Sequence, residues 1–298
     1  MNKILLTGGS GFLGKIILQN LASFDMVTLG RAMDADIICD LSKEIPELSE
    51  IKMVIHAAGK AHVVSKTAAD KRDFYDVNVK GTRNLLKGLD LLPSLPAFFV
   101  FISSVAVYGV ETGRLVREDA PLLATDPYGQ SKIEVENLVQ QWCKNNNVIC
   151  TILRLPLLAG PNPPGNLKAM INGVEKGYYF NIAGGTAEKS IVLAGDVAQI
   201  IPKAASIGGI YNLTDRTHPG FSDLAEVIAS QLNKAKPLNM PFWLANLVAK
   251  AGDIIGAKAP LNSNKLKKIT LDLTFDDNKA FDILHWRPTS VLTSFKIK

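Results

Sequence analysis

Ser104, Tyr128 and Lys132 are the residues of this sequence whose types and spacing best suggest chemistry. Tyr128 and Lys132 stand four positions apart in a segment that starts with Pro127, and proline is favoured at the first position of a helix. A spacing of four places both side chains on one face of that helix. An ammonium beside the phenol should lower a tyrosine pKa that otherwise lies near ~10, so we predict that Tyr128 acts as a general acid or base.

Ser104 supplies the third group, because it follows an apolar run at 97–102 that predicts a buried parallel strand. Its hydroxyl would lie at the carboxyl end of that strand, where open α/β sheets bind ligands. There it could hold a substrate oxygen against the phenol of Tyr128. The three residues together predict carbonyl–alcohol redox chemistry with a nicotinamide cofactor.

A glycine-rich turn near the start of the chain predicts where such a cofactor binds. Residues 3–7 indicate a strand and residues 15–22 a helix, and the turn between them has the spacing Gly-x-x-Gly-x-x-Gly. Glycines in this context let backbone amides and the helix N-terminus approach a pyrophosphate. The predicted cofactor-binding residues here are Gly8, Gly11, Phe12, Leu13 and Gly14.

The end of the second predicted strand, at 26–29, bears on the type of cofactor. An NAD enzyme usually has an acidic residue there for the ribose hydroxyls, whereas this chain has Gly30 and Arg31. A guanidinium suits a 2′-phosphate, so the sequence favours NADP(H) over NAD(H). Asp34 and Asp36 lie close enough to keep NAD(H) open.

Two further strands, at 37–39 and 53–55, are followed by residues that suit the same cofactor. Asp40 follows the first and could accept a hydrogen bond from the adenine amino group. Small residues follow the second and would let the cofactor lie close to the backbone; they are Ala57, Ala58 and Gly59.

Composition and charge narrow the class of protein. The chain has 298 residues, 47% of them hydrophobic, which suits one or two domains with a large core. Its three cysteines show no Cys-x-x-Cys spacing, which argues against a disulfide scaffold or a zinc site. The net charge of +5 is scattered apart from a mild cluster at 265–268, so we expect an anionic small molecule as partner and no nucleic acid.

The sequence also predicts where the protein works. Met1 leads directly into a predicted strand, and no apolar stretch is long enough to span a bilayer. We therefore expect a cytoplasmic protein without membrane insertion. The apolar helical segment 240–255 is interpreted as core of a lobe or a partner surface rather than a membrane anchor.

The chain resembles, over nearly its whole length, the extended short-chain dehydrogenase/reductase superfamily in its nucleotide-sugar epimerase/dehydratase/reductase branch. The resemblance implies an α/β fold: a Rossmann-type doubly wound parallel sheet with a smaller C-terminal substrate-binding lobe. It implies an NAD(P)-binding domain at 1–160, to which 190–215 return, and a substrate lobe made of 161–189 and 216–298. The motifs that carry it are Gly8 to Gly14, Asp40-Leu41, His56-Ala57-Ala58-Gly59, Asn78 with Gly81-Thr82, Ser103 to Gly109, and Tyr128 with Lys132.

The resemblance also implies roles for individual residues. Ser104, Tyr128 and Lys132 would be catalytic, the lysine also holding the nicotinamide ribose. Asn166 would face the substrate diphosphate or cap a helix, and Lys189 would contact the ligand or be a solvated charge. Further implied positions are Leu41, Asn78 and Pro156 for the cofactor, although Asn78 is more often a structural amide, and His62 for the sugar.

One departure from the family pattern narrows the reaction. Members that are 4,6-dehydratases carry an Asp-Glu pair directly after the residue matching Ser104, and this chain has Val105-Ala106. Arg31 favours an NADP-dependent reductase of a 4-keto-6-deoxy sugar nucleotide, which would supply a deoxy sugar for surface polysaccharide. The alternative is an NAD-dependent nucleotide-sugar 4-epimerase, and a second alternative is a non-catalytic NADP-sensing protein. A sugar nucleotide is the expected partner, with a homodimer possible.

Overall fold

The computed structural model describes residues 3–61, 72–256, 259 and 261–298 of the chain. Its strands are β1 (Ile4–Thr7), β2 (Met26–Gly30), β3 (Ile37–Ile38), β4 (Met53–His56), β5 (Phe98–Ser104), β6 (Gly113–Val116), β7 (Ile149–Leu155), β8 (Leu157–Ala159), β9 (Asn181–Ile182), β10 (Ile191–Leu193), β11 (Gly209–Asn212), β12 (Asn239–Met240) and β13 (Leu273–Phe275). Its α-helices are α1 (Phe12–Asn20), α2 (Gly81–Asp90), α3 (Pro127–Asn145), α4 (Gly165–Glu175), α5 (Ala194–Ile207), α6 (Phe221–Gln231), α7 (Phe242–Ile255), α8 (Ser263–Thr270), α9 (Asn278–Ile283) and α10 (Val291–Ser294). A π-helical turn, Tyr75–Lys80, leads into α2, and a 3₁₀ turn, Val105–Tyr108, follows β5.

A seven-stranded sheet in the order β11-β7-β5-β4-β1-β2-β3 forms the centre of the molecule. All of its neighbouring strands are parallel. The strand order reverses between β1 and β4, and a reversal of this kind opens a crevice at the carboxyl ends of the two strands. The predicted Rossmann-type, doubly wound α/β fold is confirmed.

Helices cover both faces of this sheet, because alternate residues of each strand point to opposite sides. In β1, Ile4 and Leu6 pack in the core under α1 and α5, whereas Leu5 packs in the core under α2 and α3. The strands are therefore apolar on both faces, as expected for a buried parallel sheet.

The chain returns to the central sheet after its first excursion. β10 pairs with β8 in a small separate sheet, α5 then packs against α1, and β11 joins the edge of the central sheet beside β7. A further apolar core lies between α4, α6 and the C-terminal residues 291–297. The two-lobe division remains a prediction that these contacts suit.

The apolar segment at 240–255 has two predicted interpretations, core of a lobe or a partner surface, and the first of them is wrong. It forms α7, which packs on α8 through small residues and leaves its large apolar side chains exposed, so these residues are not core of a lobe. No helix within the described parts of the chain combines the length and apolar character needed to cross a membrane.

Candidate active site

A cleft of about 360 Å³ lies at the carboxyl ends of the central strands. Its walls come from the turn after β1, the loop after β4, the end of β5, the start of α3 and the segment after β7. It thus occupies the crevice that the reversal of strand order creates. The residues around it include Gly8, Gly11, Phe12, Leu13, Gly14, Ala57, Gly59, Ser104, Tyr128, Lys132, Pro156 and Pro164.

Tyr128 and Lys132 reach this cleft from the first turns of α3. Pro127 is the first residue of the helix, and the Asp126 carboxylate caps it by accepting hydrogen bonds from the backbone N–H groups of Tyr128 (3.1 Å) and Gly129 (3.0 Å). Such a cap satisfies amides that would otherwise lack a partner. The helix therefore starts where the sequence predicts it, and both side chains line the cleft.

The phenol of Tyr128 lines the cleft together with the hydroxyl of Ser104 at the end of β5. Ser104 Oγ accepts from the N–H of Ala106 at 3.2 Å. Burial raises the pKa of Tyr128, and the Ser104 hydroxyl opposes that effect. The phenol therefore holds its proton at neutral pH and is ready to donate it.

The ammonium of Lys132 is directed differently from the prediction. Its Nζ donates to the carbonyl oxygen of Ile102 at 2.9 Å and lies 4.6 Å from the centre of the Phe101 ring. Burial lowers the pKa of Lys132 to about 8, and the charge of Glu136 opposes that shift. The expectation that this lysine lowers the Tyr128 pKa is wrong here, because the carbonyl of β5 holds the ammonium while burial raises the phenol pKa.

The glycine turn after β1 is a bare backbone surface. Gly8 has φ +78°, and a Cβ there would lie 2.7 Å from the backbone nitrogen of Ala58. A Cβ on Gly14 would overlap the carbonyl oxygen of Gly8. In the described structure α1 starts after Gly11 without a side-chain cap or an acidic residue in its first turn, so its N-terminal amides suit a diphosphate.

A buried histidine links this turn to the helix that follows the π-helical turn. Thr82 Oγ1 donates to the carbonyl of Asn78 at 2.6 Å, so it must accept from Nε2–H of His56 at 2.8 Å. His56 Nδ1 is then the acceptor for Thr7 Oγ1–H at 2.7 Å, and Thr7 Oγ1 in turn accepts from the N–H of Ala58. Burial lowers the His56 pKa to about 3, so every hydrogen atom in this chain of bonds has one assigned place.

Asn78 continues that chain of bonds to α3. Its Oδ1 accepts from the N–H of Lys60 at 2.7 Å, and its Nδ2 donates to Ser131 Oγ at 2.8 Å. Ser131 Oγ donates to the carbonyl of Tyr128 at 2.7 Å. The Asn78 amide is thus occupied behind the cleft, which corrects its predicted cofactor-binding role and agrees with its interpretation as a structural amide.

A second buried polar network lies on the other side of α3. The Glu136 carboxylate accepts from Arg154 at 2.7 Å and from Ser103 Oγ at 2.5 Å. Arg154 also donates to the Tyr108 hydroxyl at 3.1 Å, and that hydroxyl donates to Asn212 Oδ1 at 2.8 Å. Neither this network nor the histidine chain is predicted from the sequence, although a polar residue closing an apolar strand, such as Thr7 or Ser103, is a signal for both.

Residues 4–213 match the family described as NAD dependent epimerase/dehydratase. This chain belongs to that family. The membership confirms the resemblance that the motifs indicate.

Two proteins that are similar in sequence to this chain are 4-epimerases. One is the N-acetyl-alpha-D-glucosaminyl-diphospho-ditrans,octacis-undecaprenol 4-epimerase of Escherichia coli O157:H7, 27% identical over 94% of this chain and 88% of the relative. The other is the UDP-glucose 4-epimerase of Vibrio cholerae, 27% identical over 97% of this chain and 92% of the relative.

Solved structures share the fold at lower identity. The Thermus thermophilus UDP-glucose 4-epimerase in complex with NAD has a TM-score of 0.70 at 21% identity, covering 96% of this chain and 94% of its own. A human epimerase family protein with NADPH has a TM-score of 0.73 at 16% identity, covering 94% and 93%. Both cofactors therefore occur among proteins with this fold.

The residues predicted to bind the adenosine half of the cofactor follow β2 and β3 and do not line the cleft. They are Arg31, Asp40 and Leu41. Arg31 is exposed. Asp40 accepts from Ser42 Oγ at 2.6 Å and pairs with Lys43 at 3.3 Å, which lower its pKa. Leu41 is buried, and its carbonyl accepts from the side-chain amide of Asn84.

The acidic residue that could favour NAD(H) is also engaged. The Asp36 carboxylate accepts from the N–H of Thr28 at 2.8 Å and from its Oγ1 at 2.7 Å, and these bonds lower the Asp36 pKa. Asp36 therefore closes the β2–β3 loop.

Of the predicted substrate-binding residues that the structure describes, Ser104 lines the cleft, whereas Asn166 and Lys189 are not among its lining residues. Lys189 is half-buried and donates to the carbonyl of Leu271 at 2.7 Å, so part of its ammonium is used within the fold, while its contact with a ligand stays a prediction. Asn166 is exposed in the first turn of α4, whose N-cap is Pro164, so its predicted capping role is wrong. His62 lies outside the described residues.

Proposed function

We propose that this chain is a nicotinamide-dependent enzyme that inverts C4 of a diphosphate-linked sugar. The observation that carries the proposal is the joint position of Ser104, Tyr128 and Lys132 on the cleft whose other wall is the bare glycine turn. The 4-epimerase names of the two relatives support inversion at C4 over the 4-keto reduction that the sequence favours.

The residues that line the cleft suit a nicotinamide dinucleotide, and they indicate where each part of it would bind. The glycine turn and the N-terminal amides of α1 would hold the diphosphate, while Lys132 and Pro156 lie on the wall that leads to Tyr128. A bound nicotinamide dinucleotide supplies a group that takes up a hydride and returns it.

Tyr128 handles the proton in this proposal. The oxidation half requires the phenolate form of Tyr128, so the phenol must first release its own proton to solvent. When C4 is oxidised, the phenolate accepts the proton of the 4-hydroxyl; when C4 is reduced from the other face, the resulting phenol returns that proton. Ser104, which lines the same cleft as the phenol, would hold the sugar oxygen during both transfers. The reduction at C4 reverses the electron and proton changes of the oxidation at C4, so the complete reaction consumes no cofactor.

In this proposal the substrate is a sugar attached to a diphosphate, and the group on the other side of that diphosphate, a nucleoside or a polyprenol, is not specified. One relative's name specifies UDP and the other a polyprenol diphosphate, and a sugar on a diphosphate is common to both. The two carriers are therefore separate arms of the test.

Reduction of a 4-keto-6-deoxy sugar is the second candidate, and Arg31 favours it. Gly30 has open space around it, Arg31 is exposed beside it, and Asp36 is tied to Thr28, so the end of β2 suits a 2′-phosphate. On this basis we propose that NADP(H) is preferred to NAD(H). Arg31→Ala should weaken NADPH binding by about 1.5–3 kcal/mol and leave NADH nearly unchanged, as titration of both cofactors would measure. Equal losses for both would refute the 2′-phosphate contact.

Product analysis decides between the candidates. Purified protein is incubated with UDP-linked 4-hydroxy sugars, and separately with polyprenyl-diphosphate-linked sugars in detergent, and C4 epimers are quantified by NMR. We expect interconversion without net change in reduced cofactor, abolished in Tyr128→Phe. Stoichiometric consumption of NADPH with a 4-keto-6-deoxy sugar nucleotide, and no epimers in either arm, would replace the proposal by the reductase.

A further inference from the structure

The large apolar side chains of helix α7 face solvent rather than the rest of the protein. It packs on α8 through Ala245, Ala249 and Gly252, and a Cβ on Gly252 would overlap the carbonyl oxygen of Leu261. A surface helix ordinarily turns its large apolar residues toward the core and its polar residues toward water. In α7 the small residues face the protein.

The outward face carries an apolar stripe. Trp243, Leu247, Lys250 and Ile254 have the spacing i, i+4, i+7, i+11, which places them along one line on the helix. The exposed fractions are 64% for Trp243, 58% for Leu247 and 90% for Ile254. Other exposed apolar residues of α7 widen the stripe: Phe242, Leu244, Val248 and Ile255. Contiguous apolar surface of this kind marks an interaction site.

The charge of the protein is concentrated in the same part of the chain. Residues 232–270 contain seven lysines and one acidic residue, Asp253, a net charge of +6. Because the whole chain has a net charge of +5, all the other residues together sum to −1. The Asp253 carboxylate accepts hydrogen bonds from the N–H and Oγ of Ser263 at the start of α8.

Some of these lysines already have partners. Lys236 pairs with Glu226 and Lys268 with Glu111, but both pairs are solvent-exposed and such pairs are weak. Lys250 lies on the apolar stripe itself, where its alkyl stem can lie along apolar surface while the ammonium reaches a polar headgroup.

We propose that the outward face of α7 docks onto an anionic membrane surface. The helix has 14 residues, about 21 Å at 1.5 Å per residue, so it lies in the headgroup region and does not span the bilayer. Tryptophan is favoured at that boundary, and lysines beside it attract anionic lipids. A second copy of the chain fits less well, because it would bring one lysine-rich segment against another. This inference is independent of the proposed reaction.

Vesicle co-sedimentation of the full-length protein tests the inference. Vesicles of phosphatidylcholine alone are compared with vesicles of phosphatidylcholine and phosphatidylglycerol, at low and high salt. We expect binding to the anionic vesicles, weakened by salt, and a shift of Trp243 fluorescence to shorter wavelength that is absent in Trp243→Phe. No binding to anionic vesicles would overturn the proposal.

The variant Leu247→Gln/Ile254→Gln removes two apolar side chains from the stripe, and we expect at least a tenfold loss of vesicle binding. Leu91→Gln is the matched control, because Leu91 is 78% exposed at the end of α2, and it should bind like the wild type. Both variants should keep the wild-type thermal midpoint, since the altered side chains face solvent. If sedimentation shows a wild-type dimer that the double variant abolishes, the face is a subunit interface and the membrane proposal is wrong.

Discussion

Replacing Glu136 by glutamine tests how strongly the buried network under α3 stabilises the fold. The side chains of Glu136 and Arg154 are 0% and 3% exposed, and Arg154 donates to both carboxylate oxygens of Glu136. Glutamine keeps the shape but removes the negative charge, so the guanidinium stays buried without its counter-charge. Removing one partner of a buried pair costs about 3–5 kcal/mol.

The same helix provides the control. Glu134, two residues earlier, pairs with Arg83 at 3.0 Å, but both of these side chains are exposed to solvent. Exposed pairs contribute about 0–1 kcal/mol, so Glu134→Gln should have little effect. Urea unfolding of the two variants and the wild type gives the comparison, with the slope m expected to stay constant.

A loss below about 1 kcal/mol in Glu136→Gln would refute the reasoning, because it would mean that water or another group compensates Arg154. The double variant Glu136→Leu/Arg154→Met should regain much of the loss, since neither charge then remains. Glu136→Gln should also lower the Lys132 pKa below its value of about 8, because the carboxylate of Glu136 opposes the effect of burial on that lysine.

Three further predictions concern the cleft itself. Tyr128→Phe should lower turnover at least ~10²-fold with the thermal midpoint unchanged, and near-normal turnover would remove Tyr128 from its role. Gly14→Ala should abolish cofactor binding measured by titration, because the new methyl group overlaps the Gly8 carbonyl, whereas Gly30→Ala, with open space around it, should bind normally. Burial lowers the Lys132 pKa from 10.5 to about 8, so between these pH values the unfolded chain binds more protons at this residue and its contribution to stability rises with pH. Wild type should therefore gain up to about 3 kcal/mol over Lys132→Met across this window in urea unfolding, and a constant difference would contradict the shift.

The parts of the fold that are predictable from sequence depend on local rules. The turn at Gly8 to Gly14 joins a short apolar strand to a helix, and both elements lie where periodicity places them. The start of α3 follows from Asp126 as a cap and Pro127 as the first residue, since both preferences act within one turn.

The direction of individual side chains depends on tertiary partners that spacing does not specify. Lys132 sits on the predicted helix face, yet its ammonium meets a β5 carbonyl thirty residues away in sequence, and Lys189 meets the carbonyl of Leu271. Similarly, the apolar composition of α7 does not distinguish a buried helix from an exposed one. The small residues at 245, 249 and 252 set its orientation.

The two buried networks together explain how the backbone around Tyr128 and Ser104 is held. On one side of α3, the chain of bonds from Thr7 through His56 to Asn78 and Ser131 ends on the backbone of Tyr128. It is neutral, and since the His56 pKa is about 3, it keeps its hydrogen bonds unchanged across the physiological range. On the other side, the fully paired Glu136 and Arg154 hold Ser103, the neighbour of Ser104. Tyr128 and Lys132 both line the cleft and burial shifts the pKa of each, so we expect an activity profile of the wild type to report on these two groups.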